Sequence, residues 1–147
     1  VENKSGQGAN GKAASGTVEM DKSNFDWVNG RFACSLPGVF KTLRLEVEED
    51  VKTRNNLRPP NSPYDFSLAD SDGGFAVHLQ ASGVRKSVAF KLADHAILVR
   101  DDKDDLMFEV ALAFSDDGHC RLTVNHEERE YWQVRRMALE NLMFPSY

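Results

Sequence analysis

Leu106-Met107-Phe108-Glu109-Val110-Ala111-Leu112-Ala113-Phe114, then Cys120-Arg121-Leu122-Thr123-Val124 after a Ser115-Asp116-Asp117-Gly118 turn, is the stretch that decides the fold. Leu106, Phe108, Val110, Leu112 and Phe114 share one parity, as do Cys120, Leu122 and Val124. A period of two sets one row against a core and the other toward water. Downstream the period changes, and Tyr131, Val134, Ala138 and Leu142 recur at helical spacing, widened by Trp132, Leu139 and Met143. About half of that helix's circumference is apolar, which suits docking on one side of a sheet. Asn125 as N-cap with Glu128 at N3 starts the predicted helix, which runs over 125–144, and Pro145 ends it.

Upstream, Tyr64–Ala69, Phe75–Ser82, Val84–Leu92 and His95–Arg100 read as further strands. Asp70-Ser71-Asp72-Gly73-Gly74, Gly83 and Asp101–Asp105 separate them with turn residues. Asn29-Gly30 between Phe25–Val28 and Arg31–Cys34 has hairpin composition, since both residues tolerate positive φ. Across Thr42–Val51, Leu43, Leu45 and Val47 alternate with Arg44, Glu46 and Glu48. The expectation is a mainly β domain of about nine short antiparallel strands, a barrel or strongly curved sheet, with one C-terminal amphipathic helix.

The chain has 147 residues, 41% of them hydrophobic, which suits a single domain with its own core. Residues 1–23 hold Gly, Ala, Ser, Asn and Lys with almost no large apolar group, and read as a flexible tether or a cloning remnant. The domain is expected over 24–147. The first residue is Val1 rather than Met, as in a processed or trimmed product. Eighteen Lys and Arg against 23 Asp and Glu give a net charge of -5, which argues against nucleic acid as a partner. No apolar run reaches the ~18–20 residues of a membrane-spanning helix.

Cys34 and Cys120 each lie on the apolar parity of their segment and form no C-x-x-C pair. Two buried thiols are one reading. A disulfide joining the first hairpin to the last strand is the other, and it fits an exported protein, periplasmic or extracellular, where a cytoplasmic one would keep thiols.

If the strands run up and down, alternate turns gather at opposite ends of the sheet. One end carries Lys52, Arg54 and Arg58 on a Lys52–Pro63 loop stiffened by Pro59, Pro60 and Pro63, together with Arg85 and Lys86. A long loop with converging cations is a candidate surface for an acidic partner protein, so these five are the expected partner-binding residues. The other end collects Asp70, Asp72, Asp94, Asp116 and Asp117. Those carboxylates are hard ligands suited to Ca²⁺, but Asp70-Ser71-Asp72-Gly73 lacks the rest of an EF-hand loop, and Asp and Gly are ordinary turn residues. No metal or cofactor is assigned.

Catalytic signals are sparse. His78, His95, His119 and His126 form no H-E-x-x-H, and no serine sits in a nucleophile elbow. Cys120 and His119 are strand neighbours and point to opposite faces. Arg54-Asn55-Asn56-Leu57-Arg58 has the R-x-x-x-R form of PilZ-type cyclic-dinucleotide receptors, and Asp65–Asp70 resembles their D-x-S-x-x-G. Asp70 stands where that motif needs glycine and the two motifs lie too close together, so neither fold nor ligand carries over. The function expected is therefore a non-enzymatic, exported binding protein of inhibitor or immunity type, acting through its surface. The alternatives are a calycin-like carrier of a small apolar ligand, and an enzyme using His95 and His119 on the acidic turns.

Overall fold

Seven strands follow one another along the chain and pair in that same order: β1 (Asp65–Ser71), β2 (Gly74–Ala81), β3 (Val84–Leu92), β4 (Ile97–Asp101), β5 (Leu106–Phe114), β6 (Cys120–Val124) and β7 (Glu127–Arg129). The structure, a computed structural model, describes residues 24–81 and 83–145. All neighbours are antiparallel. Register aligns Phe75, Phe90, Val99 and Phe108 in one row across β2 to β5. All four are buried, and the Phe75 and Phe90 rings stack at 4.7 Å. The meander puts the turns near Lys86 and Asp101–Asp105 at one end of the sheet, with Asp70–Gly74 and Ser115–Gly118 at the other.

The sheet does not close. β1 and β7 are its two edges, so it is an open sheet of seven strands rather than a barrel of about nine. The three N-terminal segments expected as strands are helical, and β7 is a strand the sequence reading does not contain. α1 (Trp27–Ala33) replaces the Asn29-Gly30 hairpin, because the Asp26 side chain accepts a hydrogen bond from the Asn29 backbone N–H and caps a helical turn. α2 (Leu36–Leu57) replaces both the Thr42–Val51 strand and the start of the expected Lys52–Pro63 loop. Ser35 caps it and Pro37 sits in its first turn. Its buried residues are Val39, Leu43, Val47 and Val51, a strict four-residue spacing, whereas Leu45 is 53% exposed. Leu43 and Val47 satisfy both periods, and only Leu45 made the stretch look like a strand.

The C-terminal helix α3 (Tyr131–Met143) starts later than Asn125. Asn125 and His126 both take positive φ, 54° and 67°, forming the two-residue turn that returns the chain into β7. The capping box is real but lies five residues on, with Glu130 as N-cap and the Gln133 side chain accepting from the Glu130 backbone N–H.

α2 and α3 cover the same face of the sheet. Arg135 of α3 reaches Glu46 and Asp50 of α2, and Arg54 of α2 reaches the Met143 carbonyl, so the two helices run parallel. Arg44 meets Asp70 at the end of β1 and Asn55 meets Phe66 near its start, so α2 runs antiparallel to β1. Asn55 donates to the Phe66 carbonyl at 2.8 Å and accepts from its N–H at 3.0 Å. In an antiparallel pair alternate residues turn their backbone groups away from the partner strand, and the amide of Asn55 stands in for a further strand at Phe66.

Cys34 and Cys120 are joined by a disulfide that bridges the α1–α2 junction to the first residue of β6, across 86 positions of sequence. Beside it Phe25 lies over Gly118, where a Cβ would come within 2.7 Å of the ring. α1 itself buries none of its residues. The tether expected over 1–23 lies outside the described residues. No helix among the described residues is long and apolar enough to cross a membrane.

A loop of this length closed by a disulfide lowers unfolded-state entropy by about 4–5 kcal/mol in the chain-entropy model. The double variant Cys34→Ser/Cys120→Ser is expected to lose most of that in urea unfolding, with α1 amides exchanging first. A loss under 1 kcal/mol would show that the bridge adds nothing to the packing around it.

Candidate partner-binding groove

The last turns of α2 are fastened in three directions. The Arg54 guanidinium lies 5.1 Å from the Phe66 ring centroid and 5.0 Å from that of Phe144, and its Nε donates to the Met143 carbonyl at 2.9 Å. It thereby satisfies an acceptor that the end of α3 would leave open. Asn55 holds the backbone of β1, and Arg58, the C-cap, donates to the Tyr64 carbonyl at 3.0 Å and to Asp65 at 3.2 Å.

Between α2 and α3, beside this clasp, lies an open groove of ≈ 400 Å³. Buried Leu139 and Met143 form its floor. Its walls are Leu57, Trp132 and Phe144, which stay 71%, 50% and 62% exposed. Trp132 is oriented by its indole N–H, which donates to Glu130 at 3.1 Å. Arg135 spans the helices at the groove, 2.6 Å from both Glu46 and Asp50. Arg136 and Glu140 pair along the rim at 3.2 Å. Arg135 and Arg136 are paired with carboxylates, and Arg54 keeps its charge against a carbonyl and two rings, so the groove offers apolar surface framed by fixed charges.

The five cations expected to bind a partner divide into two sets. Lys52 and Arg54 sit on the last turns of α2, on helix rather than loop, and Arg58 is the extended residue that follows it, with Lys52 3.5 Å from Glu49. Arg85 and Lys86 open β3 at the same end of the sheet, since Asp65, Gln80 and Arg85 share one cross-strand row. Among the described residues neither has a hydrogen-bond or ion-pair partner.

Leu57, Trp132 and Phe144 are the groove residues that sequence reasoning missed. Trp132 reads as part of the apolar face that docks on the sheet, and only the structure shows it half exposed. Phe144 and Leu57 end their helices and carried no periodic signal.

At the opposite end the acidic turns are internally organised. Asp117 accepts from Ser115 Oγ at 2.6 Å and from the His119 backbone N–H at 3.1 Å, with His119 Nδ1 at 3.0 Å and Arg121 at 2.5 Å. The Ser115 hydroxyl foremost, then His119, hold its carboxyl far below the usual carboxylate range. Arg44 likewise lowers Asp70. Among the described residues no group of His, Cys, Asp or Glu is placed to hold a metal ion. No protein-family model matches this chain, and no curated protein or solved structure is significantly similar to it.

Two outcomes follow from these contacts. Arg54→Ala should cost about 2–4 kcal/mol in chemical denaturation, from a charged hydrogen bond and two ring contacts. Arg54→Lys should recover less than half of it, because lysine lacks the flat fork; full recovery would reduce the clasp to simple charge. Asp117 has a lowered folded pKa, so its contribution is present above the unfolded value of about 3.9 and lost as pH falls below it. The melting-temperature gap between wild type and Asp117→Asn should be full at pH 6 and close toward pH 2. A gap independent of pH would assign the effect to shape instead.

Proposed function

We propose that this chain is a non-enzymatic binding domain that captures a partner protein in the groove between α2 and α3. The observation that carries the reading is the exposure of three large apolar side chains, Leu57, Trp132 and Phe144, around one groove. Exposed apolar surface of this kind, concentrated and rimmed by charge, marks interaction sites, and aromatic residues and Arg are enriched at protein interfaces, with Trp and Arg among the residues that dominate their energetic centres.

The occupant is a partner segment that inserts a bulky apolar side chain and carries carboxylates at one flank. Charge supports the second feature, since Arg54 lines the groove and Lys52 and Arg58 lie beside it at the end of α2. An inhibitor or immunity-type role suits a preformed, cross-linked surface that changes little on binding. The disulfide fits an oxidising compartment. A closed-barrel ligand carrier finds less support, because the sheet is open and α2 and α3 pack on its inner face.

Peptide display against the oxidised protein tests the groove. Enriched sequences should contain a bulky apolar residue beside Asp or Glu and should bind Trp132→Ala at least about tenfold more weakly, the scale of one interface anchor. Arg58→Glu should weaken them severalfold. Enriched peptides that bind Trp132→Ala and wild type equally would reject the groove as the site.

A further inference from the structure

Every arginine in the described residues except one is engaged. Arg31 donates to the Cys34 carbonyl, Arg54 to Met143, and Arg44, Arg58, Arg100, Arg121, Arg129, Arg135 and Arg136 to carboxylates or carbonyls. Arg85 alone has no partner among the described residues. It stands on the outer face of the sheet, away from both helices, at an open trough of ≈ 560 Å³.

The floor of that trough is built from hydrogen-bond donors. Ser67, His78 and Ser87 are directly opposed across β1, β2 and β3. Asp65, Gln80 and Arg85 make up the next row on the same side, with Asp65 paired to Arg58 at 3.2 Å. Opposed residues stand about 5 Å apart and successive rows on one face about 7 Å apart, so one small group can reach both rows. Lys86 adds a second unpartnered cation at the margin, and Asp102 is the single carboxylate lining the trough. No Phe, Tyr or Trp lines it.

We infer that the outer face of β1–β3 binds a phosphoryl group, with Arg85 gripping it and Ser67, His78, Gln80 and Ser87 donating to its remaining oxygens. A guanidinium fork matches two oxygens of a phosphate or a carboxylate. The surrounding donors favour the group with further oxygens to satisfy. This site lies on the opposite face from the groove and does not depend on the groove having a partner.

The test is a two-dimensional amide NMR titration of the oxidised protein at constant ionic strength, with inorganic phosphate and, separately, phenyl phosphate. Saturable shifts at His78, Gln80, Arg85 and Ser87 are expected. Arg85→Gln should weaken binding at least about tenfold, as loss of a bidentate charged contact does. Lys91→Gln, which removes a cation elsewhere on the same face, should leave binding unchanged. Tighter binding of phenyl phosphate would assign a phosphate monoester, and equal binding would assign free phosphate. Shifts that drift linearly, that persist in Arg85→Gln, or that acetate reproduces equally well would overturn the site.

Discussion

The inner face of the sheet has to be covered, and the two helices that cover it come from opposite ends of the domain. A seven-stranded meander forms from neighbours in sequence, but its row of Phe75, Phe90, Val99 and Phe108 stays wet until α2 and α3 arrive. α2 precedes every strand and α3 follows every one. Their meeting closes a loop of 89 residues that holds the whole sheet, a contact whose entropy cost local pairing does not offset. The cross-links gather where that cost falls. The disulfide joins the start of α2 to β6, Arg135 ties the middle of α2 to α3, and Arg54 ties its end to the last carbonyls of α3.

That arrangement also explains which parts were legible in the sequence. From Asp65 to Val124 each strand is paired to its neighbour through a short turn, so the period of two and the turn residues suffice; the three-residue β7 is too short to show a period and reads as the start of the helix. The N-terminal third failed because its packing partner is distant. Leu43 and Val47 fit either period, and the burial of Val39 and Val51 rather than Leu45 is decided by the sheet beneath them. Asn29-Gly30 carries hairpin chemistry, yet Asp26 captures the Asn29 N–H and tips the same residues into a helical turn. The cysteine pairing is one of two readings the sequence leaves open: the strand parity of Cys34 belongs to a hairpin that is absent, and Cys34 is buried at the α1–α2 junction while Cys120 is exposed at the start of β6.

The candidate site was legible only in its charges. Lys52, Arg54 and Arg58 stood out as a basic cluster, but their surroundings differ: Arg54 is held between two rings while Lys52 remains at the surface. Burial separates these roles, and burial depends on the parallel docking of α2 and α3, which no local pattern encodes. The apolar walls were hidden for the converse reason, since Trp132 and Leu57 look like core residues until the core is seen to be full without them.

Asn55 gives the last turn of α2 a second duty. An exposed strand edge is a template on which another chain can polymerise, and at Phe66 this edge is occupied by a side-chain amide. Leu57, two residues further along, is a wall of the groove. Guarding against self-assembly and presenting a recognition surface therefore fall to the same turn of helix, and selection on either is selection on both.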